Sequence, residues 1–195
     1  MKILGAEIVA TAAGPAGYPR GGLPEIAFLG RSNCGKSSLL NRLVQRRQLA
    51  RTSGTPGKTR LLHFYKVRRS DRELLLVDLP GYGYARLPQS ERGKWQKLVE
   101  RYLSGRRELR AAVLLQDVRR DPGEDETLLV EWLHDRRIPV LLVLTKLDKL
   151  KPGARVRRLA ELRAALPVPA EQVTPTSARS GEGIPELWRA VSAHL

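Results

Sequence analysis

The feature that most constrains the fold of this chain is a glycine-rich segment enclosed between an apolar run and a helical pattern. The run "EIAFLG" (25–30) is apolar enough to form a buried strand, and it ends in glycine. The segment "GRSNCGKS" (30–37) follows, and the apolar residues between 39 and 44 then have the spacing of an amphipathic helix. A strand, a tight loop and a helix in this order favour an α/β fold.

The rest of the chain alternates strand-like and helix-like patterns in the same way. The runs "LLHFYKV" (61–67) and "ELLLVD" (73–78) flank a polar turn, which predicts an antiparallel pair. Further buried strands are predicted at 111–117, 139–145 and near 172–176. Helices are predicted around 95–102, 128–133, 156–162 and 184–191, with their apolar residues, Val156 included, in the core. This alternation predicts a mostly parallel mixed sheet with helices on both faces.

We predict a single domain at 25–195, preceded by an N-terminal extension at 1–24 that packs on it. No run approaches the roughly 20 apolar residues of a membrane span, and Glu7 interrupts the first apolar stretch, so neither an anchor nor a signal peptide is expected. The single cysteine, Cys34, excludes an intramolecular disulfide and fits a reducing cytoplasm. A monomer is the expected state.

The charge of the chain indicates a polyanionic partner. Its 35 Lys and Arg residues exceed its 20 Asp and Glu residues, which gives a formal net charge of +15. Such an excess favours binding to nucleic acid, with structured RNA preferred here, through neutralisation of phosphates. The alternative is an ordinary soluble protein with an arginine-rich surface.

The segment 30–37 matches the pattern G-x-x-x-x-G-K-[ST] of a phosphate-binding loop. Glycines let the backbone wrap around phosphates, and the backbone N–H groups at the helix N-terminus supply fixed positive potential. Lys36 is expected to reach the β- and γ-phosphates, and the Ser37 hydroxyl is expected to bind Mg²⁺.

Two further segments have the properties of nucleotide-sensing elements. Asp78 ends the strand "ELLLVD", where an aspartate helps to hold Mg²⁺, and the N–H of Gly81 can contact the γ-phosphate. Thr59 lies in "PGKTR", at the end of a loop with no apolar period, and can add a second hydroxyl to Mg²⁺ when a γ-phosphate orders that loop.

A base-recognition site is predicted from "TKLDK" and "TSARSGEG". Asp148 can accept hydrogen bonds from guanine N1–H and N2–H₂, which adenine does not offer, and the Lys146 stem can lie against the ring. A backbone N–H at Ser177-Ala178 can donate to guanine O6. These features favour guanine over adenine; an ATP-dependent kinase or transferase with the same phosphate loop is the less favoured alternative.

With these motifs, the chain resembles the EngB/YihA/YsxC family of TRAFAC-class ribosome-biogenesis GTP-binding proteins. The most specific motifs are "GGLPEIAFLGRSNCGKSSLLN", "TSGTPGKTR", "DLPGYGYA", "TKLDK" and "TSARSGEGI". The resemblance implies a Ras-like fold, GTP and Mg²⁺ binding, and a role in maturing the large ribosomal subunit, with a link to cell division and septation. The implied GTP contacts are Gly30, Arg31, Ser32, Asn33, Cys34, Gly35, Lys36, Ser37, Gly57, Lys58, Thr59, Arg60, Leu61, Asp78, Leu79, Pro80, Gly81, Thr145, Lys146, Leu147, Asp148, Thr176, Ser177 and Ala178. The implied Mg²⁺ ligands are Ser37 and Thr59, to which the strand-end position adds Asp78.

The chain departs from general GTPase patterns at several positions. Thr145 stands where the guanine motif usually begins with Asn. Tyr82 stands where many GTPases have the glutamine that orients water, so slow intrinsic hydrolysis is expected. Cys34 is either a redox-sensitive thiol, its pKa lowered by Lys36 and the helix N-terminus, or, as we favour, a small apolar filler. Tyr82 and Tyr84 either pack in the loop or contact a partner.

The predicted catalytic residues are Lys36, Thr59 and Asn33. Asn33 either helps to bind K⁺ beside the phosphates, where the cation does the electrostatic work of an arginine finger, or only shapes the loop. Basic residues in the sensing loops are expected to contact rRNA in the GTP state; they are Arg51, Lys58, Arg60 and Arg86. An alternative function is a basic rRNA-binding protein in which the nucleotide is structural and turnover is incidental.

Overall fold

The computed structural model describes residues 2–50, 61–82 and 89–195, which form an α/β fold. Its strands are β1 (Ile3–Ala12), β2 (Glu25–Gly30), β3 (Leu62–Arg69), β4 (Glu73–Asp78), β5 (Leu109–Asp117), β6 (Val140–Thr145) and β7 (Val173–Pro175). Its α-helices are α1 (Lys36–Leu43), α2 (Gln89–Gly105), α3 (Glu124–Asp135), α4 (Pro152–Ala164) and α5 (Ile184–Ser192).

The strands form one seven-stranded sheet in the order β1-β3-β4-β2-β5-β6-β7. From β4 to β7 all neighbours are parallel, whereas β3 is antiparallel to both β1 and β4. The predicted antiparallel pair of β3 and β4 and the mostly parallel mixed sheet are therefore confirmed.

The core consists of two apolar layers, one on each face of the sheet. Side chains of α2, α3 and α4 pack on one face, with Tyr102, Leu133 and Leu162 fully enclosed. Those of α1 and α5 pack on the other, with Leu40 and Trp188 at the contact. The central strands read as continuous apolar runs because helices cover both of their sides.

Two local features differ from the sequence-based expectations. Residues 3–12 form β1, an edge strand for which no element was predicted; it pairs with β3, and its outer residues Ile8 and Val9 are exposed. Val156 was expected in the core, but this was wrong, since 82% of its surface is exposed. Because α4 lies at the periphery of the sheet, Leu162 alone on this helix is fully enclosed, and Val156 points away.

Candidate functional site

The predicted site residues that the structure describes all lie where the parallel strands end, here called the carboxyl edge of the sheet. Parallel strands place their carboxyl ends together, so the loops after β2, β4, β6 and β7 meet there. Leu61 lies at the same edge, because β3 is antiparallel and its His63 pairs with Asp78. Gly57, Lys58, Thr59, Arg60, Arg51, Tyr84 and Arg86 lie outside the described residues.

The phosphate loop turns sharply into α1. Gly35 precedes the helix with φ of 103°, a left-handed conformation that glycine adopts without strain. Asn33 also has a positive φ of 64°, which asparagine tolerates better than most residues, and it is exposed. The loop therefore directs the unpaired backbone N–H groups of the α1 N-terminus towards the carboxyl edge.

Lys36 and Asp78 form an ion pair between the phosphate loop and the end of β4. The side chains are 12% and 10% exposed, so both charges are largely removed from water. Ser37 follows Lys36 and is half-buried. The hydroxyl of Ser37 and the carboxylate of Asp78 are the hard oxygen donors that Mg²⁺ prefers. The described residues contain no cluster of three or more His, Cys, Asp or Glu.

The segment after β4 is joined to the phosphate loop through its backbone. Tyr82 N donates to Gly30 O at 3.3 Å, and Ser32 N donates to Tyr82 O at 2.9 Å. Gly81 is needed for this approach, since a Cβ atom there would lie 3.2 Å from Ser32 N. Tyr82 is only 8% exposed and packs in the core, which favours the packing interpretation of its side chain over partner contact.

Glu126 of α3 lies beneath this junction and was not predicted as a site residue. It is fully buried; its Oε2 accepts a hydrogen bond from Gly123 N at 2.7 Å and lies 3.9 Å from Arg31 Nη1. Burial raises the pKa of Tyr82 far above its ordinary value, and the Glu126 carboxylate adds to the effect. The Tyr82 ring therefore stays neutral beside the phosphate loop.

The base side of the site is organised around Asp148. Ser177 Oγ donates to Asp148 Oδ1 at 2.7 Å, which fixes the carboxylate and leaves its second oxygen for a ligand. Leu147 N donates to Thr176 O at 3.0 Å, so the two base loops are joined directly. Ala178 lines the cavity beside Asp148.

Thr145 and Lys146 connect the base side to the phosphate loop. Thr145 Oγ1 donates to Cys34 O at 2.6 Å, and Lys146 Nζ donates to Asn33 O at 2.6 Å. The Lys146 stem crosses Gly35, from which a Cβ atom would be 3.5 Å from Lys146 Cε. The threonine hydroxyl thus provides a direct hydrogen bond between the two halves of the site.

Asp117, at the end of β5, is a second residue that the motif search missed. Its carboxylate accepts hydrogen bonds from Arg119 N and Arg119 Nη2 and lies 3.0 Å from Lys146 Nζ. Burial alone would raise the pKa of Asp117, but the Arg119 hydrogen bonds and Lys146 lower it well below its usual value. The ionised carboxylate therefore holds Lys146 over the phosphate loop. In the sequence, its position at the end of a predicted strand indicates that Asp117 lies near the ligand site.

Cys34 is a buried thiol, 4% exposed. Burial raises its pKa, and this effect exceeds the lowering caused by Lys36. The hypothesis of a redox-sensitive thiol with a lowered pKa was therefore wrong, because desolvation outweighs the neighbouring positive charge. The favoured interpretation, a small apolar filler, agrees with the contact of Cys34 with the α1 core.

A cavity of about 980 Å³ opens at the base side. Its walls include Gly35 of the phosphate loop and, from the base loops, Lys146, Asp148, Thr176 and Ala178. The cavity therefore lies beside Gly35 of the loop before α1 and contains the Asp148 carboxylate, which Ser177 orients. No described helix is long and apolar enough to cross a lipid bilayer.

Comparison with known proteins identifies the family. A family model described as "50S ribosome-binding GTPase" matches residues 25–146. A probable GTP-binding protein EngB of Syntrophomonas wolfei is 48% identical over 177 residues, which cover 91% of this chain and 90% of that protein. The Geobacter metallireducens protein of the same name is 44% identical, over 100% of this chain and 94% of its own.

Solved structures agree with the fold. A crystal structure of a probable GTP-binding protein engB has a TM-score of 0.66 at 25% identity and covers 87% of this chain and 97% of its own. A structure of Era in complex with MgGDPNP and nucleotides 1506–1542 of 16S ribosomal RNA has a TM-score of 0.66 at 23% identity, over 88% of this chain and 56% of that one; it supports the Ras-like fold alone. The chain therefore belongs to the EngB family of P-loop GTP-binding proteins.

Proposed function

We propose that this protein binds GTP with Mg²⁺, hydrolyses it slowly, and acts as a nucleotide-dependent switch in assembly of the large ribosomal subunit. The observation that carries this proposal is the direct connection of the two halves of the site. Thr145 bonds the Cys34 carbonyl and Lys146 bonds the Asn33 carbonyl, so one rigid frame holds both the base-recognising carboxylate and the phosphate loop. A ligand with a base and a phosphate chain fits this frame.

Selection for guanine rests on Asp148. Ser177 occupies one carboxylate oxygen, so the other is oriented to accept hydrogen bonds from guanine N1–H and N2–H₂. Competition of labelled GTP by unlabelled GTP or ATP tests this selection. Asp148→Asn replaces an acceptor with a donor and is expected to weaken GTP binding by about 100-fold, whereas the exposed surface change Asp121→Asn leaves it unchanged. Equal competition by ATP would favour the kinase or transferase alternative.

Phosphate binding and hydrolysis rest on Lys36, Ser37, Thr59 and Asp78. Lys36 neutralises charge on the β- and γ-phosphates, and the oxygen atoms of the other three are the proposed Mg²⁺ ligands. Bound Mg²⁺ would further neutralise the phosphate charge. Tyr82 is buried with its backbone bonded to the phosphate loop, so it does not replace the glutamine that orients water. Slow intrinsic turnover follows.

K⁺ assistance at Asn33 is part of the same proposal. Asn33 is exposed at the tip of the phosphate loop, where an amide oxygen can reach a cation beside the phosphates. Its positive φ equally suits the loop-shaping alternative. Single-turnover rates in K⁺ and Na⁺ buffers separate the two, because only K⁺ assistance predicts a faster rate in K⁺ that disappears in Asn33→Ala.

The ribosomal role rests on family membership and on the net charge of +15. We place the protein in the cytoplasm as a monomer, without membrane partners, and regard its link to cell division and septation as following from the same assembly role. Sedimentation with large-subunit particles in GDP and in a non-hydrolysable GTP analogue tests the switch. Identical co-sedimentation in both states, together with turnover unaffected by particles, would favour the rRNA-binding alternative in which the nucleotide is structural.

A further inference from the structure

Arginines from separate elements lie where the parallel strands begin, at the end of the sheet opposite the nucleotide site. This end is here called the amino edge. Glu25 N donates to Glu108 O at 2.8 Å, which brings the start of β2 beside Arg107. Ala112 N donates to Pro139 O at 2.8 Å, which brings the connection after α3 beside the start of β5. This surface, here called the amino-edge arginine surface, consists of Arg20, Arg107, Arg110, Arg136 and Arg137, all exposed.

These guanidinium groups form no ion pair with any carboxylate of the described ranges. Arg106 pairs with both Glu25 and Glu108, at 2.6 and 3.3 Å, so this group of three side chains keeps one net negative charge. Arg106 Nη2 also donates to Pro19 O at 2.8 Å, which holds the preceding loop, and with it Arg20, at this edge. Some exposed arginines elsewhere, such as Arg157 and Arg189, have carboxylate partners on their own helices, whereas others, such as Arg163, also form no ion pair with the described carboxylates.

Stabilisation of helix ends does not account for all of this charge. The helices α2 and α3 both end at this edge, and each C-terminus is equivalent to about half a negative charge. Asp135 adds one further negative charge, and the group of Glu25, Glu108 and Arg106 adds another. The five arginines exceed this total, and Arg20 and Arg110 lie outside the last helical turns.

Arg136 and Arg137 have a defined geometry at the end of α3. The Arg136 guanidinium carbon lies 3.8 Å from the centroid of the Trp132 ring, and its Nη1 donates to Trp132 O at 3.3 Å. A guanidinium held in this way loses little conformational entropy on binding. Arg137 has φ of 56°, the left-handed conformation usually taken by glycine or asparagine after a helix.

We propose that the amino-edge arginine surface binds the phosphate backbone of structured RNA. Arginine matches phosphate with two parallel hydrogen bonds, and this surface contains arginine rather than lysine. The exposed large apolar side chains of the described residues lie elsewhere, on β1, α3 and α4, so the surface lacks the apolar centre of a protein interface. An RNA backbone therefore fits it better than a protein partner.

This inference rests on the proposed ribosomal function and assigns RNA binding and nucleotide binding to opposite ends of the sheet. The nucleotide site occupies the carboxyl edge, and the amino-edge surface lies at the other end of the same strands. Its contacts with RNA are therefore expected to be equal in the GDP and GTP states. Nucleotide-dependent contacts belong to the carboxyl edge.

The test compares Arg110→Gln/Arg137→Gln with a control of equal charge change, Arg157→Gln/Arg189→Gln. Binding to protein-free large-subunit rRNA is measured over a range of KCl concentrations, with GDP and with a non-hydrolysable GTP analogue. The amino-edge variant is expected to lose about tenfold or more in affinity, and the slope of log K against log salt should fall by about 2 in both nucleotide states. The control should change much less. Equal losses in both variants, or none, would overturn the proposal.

Two further measurements separate loss of RNA binding from misfolding and from loss of a protein contact. Arg110→Lys/Arg137→Lys retains charge and is expected to keep the salt slope with a smaller loss of affinity, so it tests the surface even if the glutamine variant fails to fold. A variant that binds rRNA normally but no longer co-sediments with large-subunit particles would assign the surface to a protein partner and overturn RNA binding. Wild-type GTP affinity and rRNA affinity are measured separately; wild-type protein that binds GTP but not rRNA contradicts the proposed function itself.

Discussion

Buried carboxylates have different kinds of partner at the amino edge and at the carboxyl edge of the sheet. At the amino edge, Glu25 is fully buried. Its carboxylate accepts hydrogen bonds from Tyr102 Oη at 2.9 Å and from two nitrogens of Arg106 at 3.0 and 2.6 Å. At the carboxyl edge, Asp78 and Asp117 are buried, but their partners Lys36 and Lys146 lie against the phosphate loop.

This difference shows that a buried ion pair can serve folding or binding, depending on what its cation can reach. The Arg106 pair joins the start of β2 to the segments before β2 and β5, at the opposite end of the strands from the nucleotide site. The lysines of the carboxyl edge are held in place by carboxylates and remain available to a ligand. Loss of Glu25 should therefore change stability, and loss of a lysine at the carboxyl edge should change nucleotide affinity.

The largest effect is expected for Glu25→Ala. Its loss leaves the buried Tyr102 hydroxyl without its acceptor and leaves Arg106 with only the weaker contacts to Glu108 and Pro19 O. A broken buried pair of this kind costs about 3–5 kcal/mol. Urea denaturation measures the free energy of unfolding. The half-buried surface pair of Lys66 and Glu73 supplies the control, because Glu73→Ala should cost less than about 1 kcal/mol. Reduced GTP affinity in folded Glu25→Ala, with unchanged stability, would contradict the comparison.

Lys36→Ala is expected to show the opposite pattern. The variant loses the cation for the phosphates and leaves the Asp78 carboxylate facing them, so GTP affinity should fall by at least about 100-fold, or about 2.7 kcal/mol. Titration with a fluorescent GTP analogue measures the affinity, and urea denaturation without nucleotide shows whether stability is retained. Tight GTP binding by this variant would remove Lys36 from the phosphate site.

Periodicity and motif spacing were sufficient for most of the fold and for the location of the site. The strands β2, β4, β5 and β6 are mostly continuous apolar runs, and the phosphate loop and TKLD segment have spacings that few other structures share. β1 was not predicted because it is a half-exposed edge strand, and such a strand does not need the continuous apolar run that marks a buried strand in the sequence. Val156 was misplaced because helical spacing does not show how much of a peripheral helix the sheet covers.

The charge network of the site was harder to predict because it depends on contacts between distant segments. Asp117 has no motif of its own, and its role appears only when β5 and β6 place it beside Lys146. The less favoured alternative for Cys34, a thiol with a lowered pKa, fails because the sequence shows the nearby Lys36 but not the degree of burial. Such properties follow from packing rather than from local sequence.

Asp117→Asn should have an intermediate effect that depends on pH. Because the folded-state pKa is lowered, the ionised carboxylate stabilises the fold fully above its unfolded value of about 3.9, and this contribution disappears as pH falls through the folded value. The variant should be about 1–3 kcal/mol less stable at pH 7, with a smaller difference below about pH 4. Urea denaturation from pH 7 to 3 measures it, with Asp121→Asn as an exposed control. A difference that does not change with pH would exclude the charge as its cause.

The smallest effect concerns Cys34, which lies at the carboxyl edge but behaves as a core residue. Because burial raises its pKa, the thiol is protonated at pH 7, and its reaction with a disulfide reagent should be at least about tenfold slower in folded protein than in urea-unfolded protein. Cys34→Ala should reduce stability by only about 1 kcal/mol. Thiol labelling followed by absorbance measures the rate, and the unfolded chain is the internal control. Rapid labelling of the folded protein at pH 7 would show that the phosphate loop opens, and that the carboxyl edge is less rigid than its hydrogen bonds indicate.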